Sequence, residues 1–392
     1  SKMIQNPNAI FIYIVTLIAI IHYLKSISYL EKIFKYLPPI IWIYFLPMLS
    51  SGIGIIPNDS SLYSWTSNYL LPPALILLLL SSNIKILSTL GSKAIGTMLF
   101  GTLGIVIGGP LSLLVFGSFL PEDAWMGLGA LSGSWIGGSA NMVAIGKSIG
   151  TSDNLFGSMI VIDTVVGYGW MGIVILISGH QKAIDKWNNA DTRIIDDLNI
   201  KMNTEDLKRP TSFNDLLMIV VIGLFFGIFS LEMGKLIPDL GKVITSFGWT
   251  IILVSLIGIF LSFTKLSDLN NVGASHVGNL FLYILLGTIG AKANITQIGD
   301  LPYYIAIGIF WIFIHAIILF LGGRLLKAPM FLIATSSQAN IGGVVSAPII
   351  ATVYKKSLAP VGLLMGVIGN IIGIYAGLFT AWLLSLVGGI YH

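Results

Sequence analysis

Apolar runs of about 17 to 25 residues recur from one end of this chain to the other. Each run is long enough to cross the hydrocarbon core of a bilayer as an α-helix. The runs are continuous and do not alternate between apolar and polar residues, so they lack the pattern of transmembrane β-strands. The sequence therefore predicts an all-α polytopic membrane protein.

The composition supports this prediction. Hydrophobic residues make up 55% of the 392 positions and charged residues 10%, whereas charged residues make up about 25% of a soluble domain. This length allows about ten to twelve spans. The net charge of +4 is spread over loops, which is typical of cationic loops on the cytoplasmic side of a bacterial inner membrane and not of a nucleic-acid-binding surface. The chain has no Cys, which excludes thiolate chemistry and Cys-ligated metals.

The apolar segments are separated by short loops and by one long polar stretch. Twelve segments can be marked: 8–24, 38–56, 68–80, 93–120, 124–149, 154–178, 213–236, 247–264, 279–295, 303–325, 329–354 and 358–387. The mixed charges before the seventh segment predict a solvated linker. We predict an N-terminal segment and first helix (1–37, opening on two vector-derived residues before Met3), repeat one (38–179), the linker (180–212), a connecting helix region (213–246) and repeat two (247–392).

The two halves share a pattern that suggests two structural repeats. Residues 137–144 read Gly-Gly-Ser-Ala-Asn-Met-Val-Ala and are followed by Val-Ile-Asp-Thr-Val-Val-Gly at 161–167. Residues 338–344 read Gln-Ala-Asn-Ile-Gly-Gly-Val and are followed by Val-Ile-Gly-Asn-Ile-Ile-Gly at 367–373. Each half thus has a segment rich in Gly, Ser and Asn, which predicts a broken helix followed by an apolar one.

Paired helix breaks at membrane depth are a pointer to a transporter site near the middle of the bilayer. The alternative is that the glycines only allow helices to pack closely. Both breaks also carry amide and hydroxyl side chains, which favours the binding site. The predicted substrate-binding residues are Ser134, Ser139, Ser337, Gln338 and Thr335.

Asp163 is the most informative single residue, because it lies deep in an apolar segment. A carboxylate there is costly unless it faces a polar cavity or a partner, so it is a candidate to bind sodium or a proton. The alternative is a structural Asp that is neutralised by a neighbouring helix N-terminus or hydrogen-bonded to Thr164 or Asn141. In the second half the equivalent position is Gly369, followed by Asn370. His315 could relay protons, but a packing role is favoured. Trp135 and Trp170 flank the first site and could line it, although packing or interfacial roles are favoured.

The motifs at 134–144 and 337–343 resemble the paired signatures of the bacterial and plastid membrane proteins called domain of unknown function eight-nineteen, from about Pro38 to the C-terminus. That family is grouped with the bile-acid sodium symporter and sodium/proton antiporter superfamily. The resemblance implies inverted repeats, a panel domain, a core domain with two crossing broken helices, and elevator-type alternating access. It places Asn141 and Asn340 at the breaks, Asp163 at an ion-binding aspartate and Asn370 where some antiporters keep a lysine. The missing Asp-Asp pair and lysine leave the stoichiometry open.

Inverted repeats require the two broken segments to run in opposite directions, but twelve full spans make those segments parallel. One intervening segment must then fail to cross, with 213–236 suspected for its charged end, or a segment has been missed. The cationic residues agree only in part: Lys85, Lys93, Lys147, Arg324 and Lys327 fit one cytoplasmic side, whereas Lys355 and Lys356 do not.

The sequence therefore predicts a secondary active transporter, a sodium- or proton-coupled carrier of a small, carboxylate-bearing solute. The predicted ion-coupling residues are Asp163, Asn141, Asn340 and Asn370, with Asp163 the candidate Na⁺ ligand. The alternatives are a cation/proton antiporter without organic substrate and a passive channel or receptor. No residues have the spacing of a serine hydrolase, so an enzyme is not expected. The other expectations are a homodimer in the lipid bilayer, no cofactor beyond the coupling ion, and no nucleic-acid partner.

Overall fold

The computed structural model describes residues 4–82, 84–201, 209–294 and 300–391, except for the side chains of Lys35 and Tyr36. Part of the predicted linker, 202–208, and the end of the ninth predicted segment, Ile295, therefore lie outside the described residues. Within these ranges the regular structure is helical, which confirms the all-α prediction. The α-helices in chain order are α1 (Pro7–Lys25), α2 (Glu31–Tyr36), α3 (Pro39–Gly52), α4 (Ser61–Tyr69), α5 (Leu71–Leu80), α6 (Ile84–Leu87), α7 (Gly91–Phe116), α8 (Ala124–Gly137), α9 (Ser139–Ile149), α10 (Asp153–Ser178), α11 (Gln181–Trp187), α12 (Arg193–Lys201), α13 (Phe213–Lys235), α14 (Ser246–Ser262), α15 (Ala274–Lys292), α16 (Leu301–Leu325), α17 (Met330–Ile341), α18 (Gly343–Tyr354) and α19 (Ala359–Tyr391).

Seven of the described helices are long and apolar enough to cross a membrane: α1, α7 with its flanking turns, α10, α13, α15, α16 and α19 with the turn before it. The chain is thus a multi-pass membrane protein. Helix α13 is among the seven, with a mean hydropathy of 2.5. Its length and hydropathy argue against the suspicion that 213–236 is the segment that fails to cross, because its charged residues lie at the helix end and not within the apolar stretch.

Helices α8 and α9 form a hairpin. The chain reverses at Gly138, whose φ of +88° is a conformation that glycine adopts without strain. A Cβ atom added to Gly129 would lie 2.8 Å from Cδ1 of Ile149, although a continuous helix would separate these residues by about 30 Å. At the open end, Oγ1 of Thr151 donates to the carbonyl of Met126 at 3.0 Å. We call residues 124–149 hairpin 1.

Helices α17 and α18 form a second hairpin. The rings of Phe331 and Tyr354, at its two ends, lie 5.7 Å apart in an edge-on contact, where a continuous helix would separate them by about 34 Å. The chain reverses at Gly342 and Gly343, and Gly343 has a φ of +59°. We call residues 330–354 hairpin 2.

The expected pair of crossing broken helices is therefore a pair of hairpins that meet at their tips. A Cβ atom on Gly343 would lie 3.7 Å from Cα of Gly138. Both breaks lie where the sequence predicts them. The direction of the chain after each break differs from the expectation, because a Gly-Gly pair allows the backbone to turn back as readily as to continue.

The hairpins enter the bundle from opposite ends. The open end of hairpin 2 contacts the linker, where the amide of Met330 donates to Oδ1 of Asp185 at 2.6 Å. We call this the linker end. Helix α7 begins there, with Lys93 paired to Asp191 at 3.3 Å, and its last turn at the opposite end accepts a hydrogen bond from Tyr391.

Hairpin 1 opens at that opposite end, since α7 leads into it and α10 leaves from it. Five long helices, α10 and α13 to α16, then separate the two hairpins in the described chain, besides the short linker helices α11 and α12. Inverted repeats require the two hairpins to enter the bundle from opposite ends. This arrangement therefore resolves the conflict over the direction of the broken segments, and no segment has to be missing or fail to cross. The repeat boundaries themselves stay predictions.

The cationic residues follow this arrangement. Lys355 pairs with Asp196 of α12 at 3.7 Å and so lies at the linker end, together with Lys93. Lys147 lies at the opposite end, where its Nζ donates to Oδ1 of Asn68 at 2.7 Å. The expectation that Lys147 shares a side with Lys93 and that Lys355 does not is therefore wrong in both parts, because it took both broken segments as full spans.

The helices pack in two groups. In the first group α5 contacts α13, α14 and α15, while α3 contacts α1 and α15. In the second group α7 contacts α16, and α19 contacts α7, α8, α17 and α18. Helix α10 contacts α8 and α16 and so belongs to the second group. The groups meet where α9 and α19 touch α14, and where α10 touches α3 and α15. Both hairpins belong to the second group.

Small residues allow α19 to lie directly against hairpin 1. A Cβ atom on Gly369 would overlap the carbonyl oxygen of Ile136, and one on Gly377 would lie 3.4 Å from Cα of Gly133. These glycines recur every four residues along α8 and α19, which places them on facing stripes. The close-packing interpretation of the glycines thus holds for this interface, alongside their role at the tips.

The linker is packed against hairpin 2 in the part that the structure describes. Nδ2 of Asn188 donates to the carbonyl of Ala328 at 2.7 Å, and Asp185 and Asp196 contact the two ends of the hairpin. Hydrogen bonds from Arg193 and then Lys93 lower the pKa of Asp191 to about 2. The charged residues of the linker therefore make specific contacts and are not only solvated.

Replacing Asp185 with Ala is expected to lower the free energy of unfolding by about 1 kcal/mol, because the first turn of α17 loses the carboxylate that accepts its amide. The decrease can be measured as a lower apparent melting temperature of the purified protein. Asp197→Ala is the matched control, because Asp197 is exposed on α12 of the same linker. An equal decrease in both variants would contradict a specific role for Asp185.

Candidate functional site

A cavity of about 700 Å³ extends from the hairpin tips to the linker end. Its inner part is bounded by the tips, α10 and α19, and its sides by α5 and α15. Lys25, Ser81 and Asn270 line its outer part, near the linker end. The cavity therefore lies between the two helix groups.

Asp163 faces this cavity from α10. Its Oδ2 accepts a hydrogen bond from Oγ of Ser134 at 2.9 Å, and its Oδ1 accepts one from Nε1 of Trp135, also at 2.9 Å. The side chain is partly exposed to the cavity. The expected alternative partner Thr164 donates to the carbonyl of Ile160 in its own helix instead.

This environment can accommodate a monovalent cation or a proton on Asp163. Each carboxylate oxygen has a second lone pair that the two hydrogen bonds leave available. Among the described residues no group of three His, Cys, Asp or Glu could hold a metal ion. A cation at Asp163 would therefore complete its coordination with hydroxyl oxygens, backbone carbonyls or water, which suits a hard monovalent ion.

The structure brings together six of the nine predicted site residues. They line the cavity on both hairpins and the two following helices: Ser134, Ser139, Asn141, Asp163, Gln338 and Asn370. The predicted residues Thr335, Ser337 and Asn340 do not belong to its described lining. All three are buried within the second helix group.

Asn340 faces α7 instead of the cavity. Its Oδ1 accepts a hydrogen bond from Oγ1 of Thr102 at 2.8 Å, and its Nδ2 donates to the carbonyl of Ser336 at 3.0 Å. A Cβ atom on Gly101 would overlap this amide. Asn340 thus holds hairpin 2 against α7, which is a packing role.

Ser337 bridges two other buried side chains. Its Oγ accepts a hydrogen bond from Nε1 of Trp170 at 2.8 Å and lies 3.0 Å from Nε2 of His315. The other ring nitrogen of His315 lies 2.8 Å from the carbonyl oxygen of Gly101. A neutral imidazole satisfies both contacts, so His315 has the packing role that the sequence favours.

Two predicted polar groups of α17 have no partner within the described structure. Oγ1 of Thr335 is buried away from the cavity, and Nε2 of Gln338 is buried on the cavity side. A buried amide donor without an acceptor is costly, by about 1 to 3 kcal/mol. Gln338 is therefore the more informative of the two.

The tips concentrate helix ends in one place. Helices α9 and α18 begin there, and neither has a side chain that caps its first amides. Helices α8 and α17 end there and direct their last carbonyls to the same region. The site thus offers backbone donors for an anionic group and carbonyl oxygens for a cation.

Sequence reasoning missed several residues of the site. For Trp135 the sequence favours a packing or interfacial role, yet its indole donates to Asp163 while its ring packs edge-on against Trp311 at 5.0 Å. Ser346 and Asn279 also line the cavity. Ser346 follows the second Gly-Gly pair by three residues, a signal that could have identified it, whereas nothing in the sequence distinguishes Asn279.

Contacts between the two groups close the end opposite the linker. Oγ of Ser148 donates to the carbonyl of Val243 at 3.0 Å, and Oγ1 of Thr245 donates to the carbonyl of Ser148 at 2.8 Å. Lys147 reaches Asn68 beside them and stacks on the ring of Phe247. The structure is therefore a conformation whose cavity extends toward the linker end.

Known proteins that are similar to this chain include a protein family and one named relative. The model of the family described as protein of unknown function (DUF819) matches residues 12–387. The protein described as uncharacterized membrane protein YjcL of Bacillus subtilis (strain 168) is 25% identical over 357 residues, which cover 85% of this chain and 86% of that protein. The family match extends through both hairpins and the residues that line the cavity.

Proposed function

This chain belongs to the DUF819 family of proteins of unknown function, and we propose that it is a secondary active transporter. In this proposal it carries a small organic solute by coupling to sodium ions or protons. The hairpin tips that meet at the inner end of a cavity beside Asp163 carry the proposal. Irregular backbone at membrane depth is tolerated where it lines a cavity, and paired breaks are the pointer to a carrier site.

Asp163 is the proposed coupling residue. Binding of a cation or a proton removes its negative charge, which lowers the cost of moving it through a low-dielectric region. The empty site then disfavours movement, whereas the loaded site permits it. Differential stability of the two conformations is what coupling requires.

The proposed movement is of the elevator type. The second helix group, which contains both hairpins, is the proposed core domain, and the first group is the proposed panel. Displacement of the core breaks the contacts of Lys147 and Ser148 at the far end. It then exposes the tips to that side and closes the path toward the linker end.

We place the linker end in the cytoplasm of a bacterial cell, in the inner membrane. Lys93, Lys327 and Lys355 lie at this end, and the positive-inside rule favours such an orientation. The structure then corresponds to an inward-facing state. A homodimer and the absence of enzymatic activity stay predictions of the sequence.

Reconstituted protein is expected to accumulate its solute in liposomes when a sodium or proton gradient is imposed. Candidate solutes can be found first by screening metabolites for ligands that raise the apparent melting temperature, with and without sodium, because a ligand of the folded state stabilises it. Saturable uptake driven by the gradient is the expected result. Cation flux that needs no solute would favour the antiporter, and uptake that never exceeds equilibrium would contradict the proposal.

A further inference from the structure

The first turns of α9 and α18 lie at the inner end of the cavity. Both helices begin at the tips without a capping side chain, at Gly138 and at Gly342. Ser139 and Val344 in these first turns line the cavity. Two helix N-termini that face one space favour a negatively charged group between them.

Gln338 adds an independent sign that a ligand binds here. Its side chain is only 1% exposed, lines the cavity, and leaves Nε2 without an acceptor. Its Oε1 lies beside Ser346 at the tip. Both side chains approach the position that a Cβ atom on Gly342 would occupy. The orphaned donor therefore points to a ligand that supplies an acceptor beside the tip.

The charges around the cavity limit the ligand to one negative group at this position. Among the described lining residues the charged side chains are Lys25, near the linker end, and Asp163. No cationic side chain accompanies the tips, so backbone amides and Gln338 provide the donors. Such a set suits a single carboxylate better than a phosphate or a dianion.

We infer that a carboxylate group of the substrate binds between the first turns of α9 and α18, where it accepts a hydrogen bond from Gln338. We further infer that it binds once a cation or a proton has neutralised Asp163. The carboxylate of Asp163 faces the same cavity about one helical turn from the tip, because its partner Ser134 precedes Gly138 by four residues. Two negative charges at this distance in a partly dehydrated site repel each other. This inference rests on the proposed function and names its substrate class.

The test measures ligand-induced stabilisation of the purified full-length chain. The probes are a series of monocarboxylates from acetate to benzoate, each compared with its own primary amide, in the presence and absence of sodium at acidic and at alkaline pH. Carboxylates are expected to raise the apparent melting temperature, and their amides are not. The increase is expected to be larger when sodium or acid neutralises Asp163.

Two variants test the role of Gln338. Gln338→Glu keeps the shape and adds a negative charge, so carboxylate stabilisation is expected to disappear. Gln338→Met removes the donor, so the affinity is expected to decrease about 10- to 100-fold, as for the loss of a hydrogen bond to a charged group. Gln5→Glu adds the same charge at an exposed position before α1 and is expected to retain wild-type binding.

Stabilisation by the amides as strong as by the carboxylates would overturn the inference, and so would unchanged binding in both Gln338 variants or no stabilisation by any probe. Sodium-dependent stabilisation without added carboxylate provides the separate readout. If sodium stabilises the protein and gradient-driven flux occurs while every carboxylate fails, the substrate class is wrong and the transporter proposal stands. If neither sodium nor a proton gradient has any effect, the proposed function itself fails.

Discussion

Replacing Asp163 with Asn is expected to abolish cation-dependent uptake while leaving the protein folded. The amide keeps the size of the side chain and its ability to accept from Ser134 or Trp135. It removes an attraction of about 4 kcal/mol for a cation at about 4 Å, which corresponds to roughly a thousandfold lower affinity. Uptake into proteoliposomes, measured against a sodium or proton gradient, gives the size of the loss.

The control for this prediction is Asp268→Asn. Asp268 is an exposed carboxylate that follows α14 and does not line the cavity, so its replacement is expected to leave uptake unchanged. Size-exclusion profiles of the two variants are expected to match that of the wild type. Undiminished coupled uptake by Asp163→Asn would remove this residue from the mechanism.

Replacing Gly369 with Leu is expected to prevent the helices of the protein from packing into the folded structure. A Cβ atom there would overlap the backbone oxygen of Ile136 and lie 3.4 Å from Cα of Gly137. Backbone atoms cannot move aside as a flexible side chain can, so α19 must separate from hairpin 1. The expected cost is about 3 kcal/mol, visible as loss of monodisperse protein or as a large decrease in the apparent melting temperature.

Gly172→Leu separates this steric effect from the general effect of a Gly-to-Leu change. Gly172 also lies within a long apolar helix, α10, but among the described residues no atom beyond its own helical turn lies within 4 Å of the position of its Cβ. Its replacement is expected to be neutral or slightly stabilising, since Leu has the higher helix propensity. Comparable losses in both variants would show that the stripe on α19 is not tightly packed.

The sequence is informative about the membrane helices because the bilayer imposes a simple rule on length and hydropathy. The bounds of α1, α10 and α16 differ from the predicted segments by one or two residues. The breaks at Gly138 and Gly342–Gly343 could also be located, because clustered Gly, Ser and Asn residues disfavour a continuous helix. The reversal of the chain at each break could not be predicted from local composition. The parallel direction of the two broken segments had already indicated that not every segment was a full span.

Asp163 could be predicted as the central residue of the site, whereas the other site residues could be predicted only in part. Asp163 stands out because an intramembrane carboxylate is costly, and Gln338 stands out because it adjoins a break. Asn340 and Ser337 lie on the same helix as Gln338, and only their direction around the helix decides that they meet α7 and His315 instead. That direction depends on which neighbour packs on each side, which a single sequence does not specify.

A displacement of hairpin 2 also displaces the linker, because the linker binds both ends of this hairpin. Asp185 and Asp196 hold both of its ends, while Asp191 pairs with Lys93 at the start of α7. In the proposed elevator movement, helices α11 and α12 move together with hairpin 2, and their exposed face changes its height above the membrane surface. A protein that bound this face would then slow the proposed movement without entering the cavity.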